Sequence, residues 1–375
     1  MSRYDDLGMR HVINAAATLT RLGGSVMPPS VVTAMAEGAA HHVDLPLLQE
    51  RVGERIAALT NNEACYVSSG AAAGIAIATA ACIAGEDPAA VARFPYLMDG
   101  KTDVIIHRAQ RNGYDHAARQ TGATLVEIGM AHTTQSWELE AAITPRTACI
   151  LWFAGEHYAR GALPLPEVVA TAHTHGVPVL VDAAAQIPPI SSLWHFTRDL
   201  GADIAIFSGG KGLRGPQTSG LVLGRADIVA ACRANGSPNH SLGRPMKVGK
   251  EEMLGLLAAV EWSLAQDEDA VLARYEEIVQ HWLAGLRDLP GITVERGYPS
   301  EAGQPHARAI VRLGADFPMT RDAVIAALYG GTPCVAVGTV DADAIALNPQ
   351  SLIAPDEAEI VLEQVRAVLA PIMVQ

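Results

Sequence analysis

Nothing in this 375-residue sequence is arranged to bind a metal through cysteine. The five cysteines (Cys65, Cys82, Cys149, Cys232 and Cys334) are odd in number and widely spaced, with no CxxC pair and no Cys/His cluster at ligand spacing. They read as reduced thiols, mostly in the core of a cytoplasmic protein. Basic charge is also scarce: Lys plus Arg number 27 against 40 Asp plus Glu, a formal charge of −13. No Lys/Arg run of the kind that tracks a phosphate backbone occurs, so no nucleic-acid partner and no anionic membrane surface is expected. Long apolar runs are missing too. The most apolar stretch, GAAAGIAIATAACIAG, is short, rich in Ala and Gly and bounded by turns, which suits a buried helix rather than a membrane span. The opening MSRYDDLGMR lacks the apolar centre of a signal peptide. What is present is 49% apolar and 18% charged residues, the balance of a soluble globular chain. The length fits one large domain plus a smaller one.

Short apolar runs alternate with helical patterns through the first two thirds. Strands are expected at ACYVSS, DVIIH, TLVEIG, ACILWFAG, VPVLVDAA, DIAIFSGG and SGLVLG. Several are apolar nearly throughout, as strands buried on both faces of a mostly parallel sheet must be. Helices lie between them; one is expected over Pro166–His175, opened by Pro166-Glu167 and closed by Gly176. This is the α/β pattern. From Lys250 one long helical region is expected to reach Leu289, and a smaller α+β domain follows, with strands at ITVERG, ARAIVRL, CVAVGTV and AIALNP and helices near Arg321–Tyr329 and from Asp356. The expected division is 1–245 for an N-terminal arm plus large domain and 246–375 for the small domain. No internal repeat or low-complexity linker is present.

Ligands of open α/β sheets gather at the carboxyl ends of strands, and three such ends carry unusual chemistry. YVSSGAAAGIA runs from a strand through Ser68, Ser69 and Gly70 into a helix; small residues and a helix N-terminus make a ready phosphate site. The plain alternative is a tightly packed strand–helix turn. VPVLVD ends a buried strand on Asp182, a carboxylate that needs a cation or several donors, unless it merely caps the next segment. IAIFSGGKG ends a third strand on Ser208-Gly-Gly-Lys211. A partly desolvated lysine is a nucleophilic amine; a lysine on a surface loop is not. Together the three fit pyridoxal 5′-phosphate (PLP), which needs a Schiff-base lysine, an acidic partner for its pyridine nitrogen and a phosphate cup.

The order, spacing and two-domain layout resemble the fold-type-I PLP enzymes, the aspartate-aminotransferase-like superfamily. VINAAATLTRLGG resembles the N-terminal INATG…LG segment of selenocysteine synthase (L-seryl-tRNA selenium transferase) relatives. EACYVSSGAAAGIAIATAACIAGED and FSGGKGLRGPQTSGLVLGR look closest to the branch containing D-glucosaminate-6-phosphate ammonia-lyase. The likeness spans nearly the whole chain.

The resemblance implies a role for each matching residue. Lys211 forms the Schiff base and then acts as base at the substrate Cα. Asp182 pairs with the pyridine nitrogen. Ser69, Gly70 and Ala71 bind the phosphate, with Ser208 added; His107 stacks on the ring; Gln186 reaches the ring hydroxyl. Substrate contacts are expected from Arg21, Glu156, His157, Arg214 and Arg308, each of which could instead sit in a surface salt bridge. Selenocysteine synthase relatives usually carry an Arg in the stretch matching VAVGTVDADAIAL, where this chain has Gly338-Thr339. Arg308 and Arg312 are possible substitutes. The implied activity is a cytoplasmic lyase of the ammonia-lyase type acting on a small amino acid, a 2-amino-3-hydroxy acid such as D-glucosaminate or its phosphate. His157 or Tyr114 is the candidate acid for the departing hydroxyl. A racemase, an aldolase, a β-replacement transferase or a non-catalytic metabolite binder are the alternatives. A homodimer or higher even homo-oligomer is implied by the superfamily alone.

Overall fold

The computed structural model describes residues 2–97 and 99–370. The strands are β1 (Val12–Ala15), β2 (Ala64–Ser68), β3 (Asp103–His107), β4 (Thr124–Ile128), β5 (Thr147–Phe153), β6 (Val179–Asp182), β7 (Ile204–Ser208), β8 (Gly220–Gly224), β9 (Ile292–Gly297), β10 (Arg308–Leu313), β11 (Cys334–Val340) and β12 (Ala344–Leu347). All seven strands expected before Lys250 form. They make one sheet in the order β2-β8-β7-β6-β5-β3-β4. Only β8 runs against its neighbours, pairing antiparallel with both β2 and β7. The others run in one direction, so Ser68, His107, Phe153, Asp182 and Ser208 end their strands on the same edge.

The apolar runs are explained by cover on both faces. Val179, Val181, Ala205 and Phe207 join the core on one side, while Leu180, Ile204 and Ile206 join the core on the other. Four helices recur below: α1 (Leu45–Leu59), α2 (Ala71–Ala84), α3 (Lys250–Leu264) and α4 (Glu268–Leu286). Helix α2 is apolar nearly all round because it is buried against this sheet: a Cβ on its Gly74 would lie 2.9 Å from Ile206 and 3.1 Å from Val222. Among the described residues, the edge strand β2 has no further strand beside it. The Gln49 side chain takes that place, donating to the Val67 carbonyl at 2.6 Å and accepting from the Val67 N–H at 3.3 Å. Losing it would leave two buried backbone groups unsatisfied, at about 1–3 kcal/mol each.

The contacts group the chain into two compact units, Met27–Ala265 and Met1–Val26 with Gln266–Gln375. This differs from the division at 245/246 in two ways. Strand β1 pairs parallel with β11 in the second sheet, of order β1-β11-β12-β10-β9. The expected single helical region is also two helices. It breaks at Asp267, whose side chain caps α4 by accepting from the Ala270 N–H at 3.1 Å. Thus α3 packs in the Met27–Ala265 unit while α4 buries Trp282 in the other, its indole N–H donating to Ala358 at 2.8 Å.

Candidate active site

The start of α2 is built for an anion. Fully buried Ser68 donates its hydroxyl to the Gly70 carbonyl at 2.9 Å. Gly70 then adopts φ +114°, a region that L side chains rarely enter, and nothing lies within 4 Å of where its Cβ would stand. Ala71 opens the helix, and no side chain caps it. Open space therefore meets the uncapped, positive end of a 14-residue helix. Ser69, Gly70 and Ala71 fall together there.

Asp182 ends β6 beside Phe153 of β5 and Ile206 of β7. It is 7% exposed, and its Oδ1 accepts from the Ala184 N–H at 2.9 Å. Burial pushes its carboxyl above the usual range, opposed by that N–H and by the positive charge of Lys211. Lys211 is thus close enough to Asp182 to stabilise its charged form. Two strand ends that the sequence separates by a helix meet here.

His107 ends β3 with no exposure, and neither ring nitrogen has a hydrogen-bond partner. Burial lowers its pKa to about 4, with Glu138 opposing, so the imidazole is neutral near pH 7. An unpartnered buried ring is costly unless a bound group meets it. Gln110 fixes this strand end by donating to the Phe153 carbonyl and accepting from its N–H, both at 3.1 Å. A stability consequence follows. Because the folded pKa is depressed, the unfolded chain binds the extra proton between about 6.5 and about 4, and stability falls with pH in that window. The full effect is about 3 kcal/mol. His107→Phe is expected to flatten this loss; urea midpoints near pH 7 and pH 4.5 for the two proteins check it.

The Lys211 turn is held by its glycines, though not in the way cofactor clearance alone would require. A Cβ on Gly210 would lie 2.6 Å from the Gln217 Cα, and one on Gly212 would strike the Ile187 carbonyl oxygen. The protein's own backbone excludes side chains there. Ser208 donates its N–H to Ala184 at 3.4 Å, next to the Asp182 strand end. Arg214 sits at φ +56°, its N–H bonded to the Lys211 carbonyl at 2.9 Å and its guanidinium over Trp262 of α3 at 5.2 Å. Gln186 donates to Ala154 at 3.3 Å. Glu156 and His157 are exposed on the short helix after β5. Arg21 is exposed and Arg308 is largely buried, both in the other unit. Arg312 is bound by Asp341 and Asp343.

Tyr158 escaped the sequence reading. Its ring lies 5.7 Å from Phe153 and 3.9 Å from His157. Burial, the Tyr114 phenol and the Asp182 carboxylate all raise its pKa, so it keeps its proton. A tyrosine five residues after a strand end carries no sequence signal; only the fold of the Gly155 turn brings it back. Gln110 is a similar case.

These residues fit PLP. The Gly70 cradle suits a phosphate, Asp182 suits a protonated ring nitrogen, and the orphaned neutral His107 suits an aromatic face. Among the described residues no His/Cys/Asp/Glu group could hold a metal, and no helix is long and apolar enough to cross a membrane.

Comparison with known proteins agrees. The Aminotransferase class-V family matches residues 49–311. A Streptomyces 5′-C-glycyluridine monooxygenase-decarboxylase is 35% identical over 92% of this chain and 88% of its own. D-glucosaminate-6-phosphate ammonia lyase of Salmonella typhimurium is 34% identical over 88% of this chain and 87% of its own. L-seryl-tRNA(Sec) selenium transferase of Geotalea uraniireducens is 28% identical over 70% of this chain and 58% of its own. A solved D-glucosaminate-6-phosphate ammonia-lyase structure superposes with a TM-score of 0.85, at 31% identity, over 98% of both chains. The expectation of a PLP lyase of the ammonia-lyase type fits the two ammonia-lyase matches. The chain belongs to the Aminotransferase class-V family and is a PLP-dependent enzyme of fold type I.

Proposed function

We propose that the protein releases ammonia from a sugar-derived 2-amino-3-hydroxy acid, leaving a 2-keto acid. The observation that carries this reading is the charge interaction of Lys211 with Asp182, on the same strand-end edge that carries the unpartnered His107, in a chain that matches an ammonia-lyase end to end. When bound, PLP supplies a sink for the electron pair left at the substrate Cα. Lys211 holds the cofactor covalently and takes the Cα proton. Asp182 keeps a proton on the ring nitrogen by its negative charge. Ser69, Gly70, Ala71 and Ser208 hold the phosphate. His107 would stack on the ring as a neutral imidazole, and Gln186 would meet the ring hydroxyl. The departing β-hydroxyl would leave as water, with His157 or Tyr158 as the proposed proton donor; water then returns as ammonia departs. Glu156, His157 and Arg214 are the proposed substrate contacts in this unit. The protein works in the cytoplasm as a homodimer or higher even homo-oligomer.

The Streptomyces relative supports a second reading. Its name describes oxidation and decarboxylation of an amino acid carried on a nucleoside, and its identity to this chain is as high as the lyase's. Both names place an α-amino acid on a sugar skeleton. Incubation with D-glucosaminate and its 6-phosphate separates the readings: the lyase gives ammonia and keto acid without oxygen uptake. Oxygen consumption with carbon dioxide release would overturn it.

A further inference from the structure

The unit formed by residues 1–26 and 266–375 contains a second polar cluster. Arg308 opens β10 with its side chain 13% exposed. Its Nη1 lies 3.3 Å from Glu301 Oε2. Fully buried Asn348 donates through Nδ2 to both Glu301 oxygens, at 3.3 and 3.2 Å. Asn348 is itself fixed: its N–H donates to Ala15 at 2.8 Å, and its Oδ1 accepts from the Gln350 N–H at 2.9 Å. Glu301 is the loosest member. Its side chain is 40% exposed on the turn closed by Gly303 and Ser300.

The grip on Glu301 is poor for an ion pair selected for stability. The Asn348 bonds are longer than the usual 2.9–3.0 Å. The Arg308 Nε is buried with no partner, so the guanidinium retains a donor that a bidentate carboxylate would use. Beside it, His306 is 3% exposed, and its Nε2 also has no partner. Its Nδ1 faces the Ala307 carbonyl oxygen at 3.3 Å, which can only accept. Nδ1 therefore carries the hydrogen and Nε2 is an acceptor. His306 is near enough to Glu301 and Arg308 to feel both charges.

We propose that Arg308 and Asn348 form a binding site for the carboxylate of a small ligand, and that Glu301 is a resident carboxylate which the ligand displaces. The chemical class follows from the occupant: a carboxylate already sits on this donor pair. His306 adds a neutral acceptor, which suits a hydroxyl next to that carboxylate. That such a ligand is the substrate rests on the lyase reading; the site itself does not. Glu301 lowers apparent affinity by the fraction of time it holds the donors. If it holds them nine-tenths of the time, its removal tightens binding about tenfold.

The probe is D-gluconate, which has the carboxylate and hydroxyls but no amine and so cannot react. Calorimetric titration of the full-length, cofactor-loaded protein is expected to show Glu301→Ala binding gluconate about tenfold more tightly than wild type. Arg308→Gln, alone or combined with Glu301→Ala, loses at least tenfold relative to its parent. D-glucitol, lacking the carboxylate, shows none of these differences. Matching melting temperatures establish that the variants fold. Equal or weaker binding by Glu301→Ala overturns the displacement, and gluconate binding insensitive to Arg308→Gln overturns the site. Gluconate binding as expected, with no ammonia from D-glucosaminate, sinks the lyase reading and leaves the site standing.

Discussion

Lys211→Ala is expected to end covalent cofactor retention and to lower ammonia release by about three orders of magnitude or more, the scale for losing a positioned base. Borohydride reduces the Schiff base to a secondary amine and bleaches its yellow colour; after denaturation, wild-type protein keeps the reduced cofactor as a mass increment on the Lys211 peptide and the variant keeps none. The residue stands between Gly210 and Gly212, where the Gln217 and Ile187 backbones leave no room for a Cβ. The alanine keeps that turn, since its own Cβ replaces the lysine Cβ. Loss of function would therefore be chemical rather than a matter of folding. Lys211→Arg is the sharper control: it keeps the charge beside Asp182 but cannot form the bond. Covalent retention by either variant would show that another amine holds the cofactor.

How much of this was legible in the residues depended on what kind of signal each carried. The seven strands were readable because burial on both faces forces long apolar runs, and β5 is buried from Thr147 to Phe153. Asp182, Gly70 and Lys211 were readable because a charge or a glycine at a strand end is rare without cause. The break at Asp267 was also written in the chain, as an acidic N-cap followed by Glu268 and Asp269, but the helix-forming residues on either side masked it. Strand β1 was harder: four residues cannot declare whether their partner is nearby or, as here, Cys334–Val337. Tyr158, Gln110 and the Glu301–Arg308–Asn348 cluster join residues through tertiary turns, and no local pattern marks them. The glycines around Lys211 are required by the close passage of Gln217 and Ile187, which no local pattern announces.

Asp182→Asn is expected to move two quantities in opposite directions. In the holoenzyme the amide cannot balance a protonated ring nitrogen. Cofactor affinity falls about 10- to 100-fold, the value of one charge-assisted hydrogen bond. Ammonia release falls about a hundredfold or more, as when one preorganised electrostatic contact is lost at a reacting centre. In the cofactor-free protein the sign reverses. Burial raises the carboxyl pKa above that of an unfolded aspartate, even though the Ala184 N–H and Lys211 oppose it. The folded state therefore prefers the protonated form. The stability this group contributes is complete below the ordinary aspartate pKa and is lost as pH rises through the folded one. As pH rises from the ordinary aspartate range, the wild-type apoprotein increasingly bears the penalty of burying this group. The asparagine does not, and its Oδ1 can still accept from Ala184. Apo Asp182→Asn should melt above apo wild type near pH 7, and the gap should close as pH falls toward about 3.8. Saturating cofactor should reverse the order, because wild type gains more from binding. Melting curves of both proteins, with and without PLP, test all three. A variant that melts below wild type without cofactor would mean that Lys211 and the Ala184 N–H outweigh burial, and that the carboxylate is a structural ion-pair partner instead.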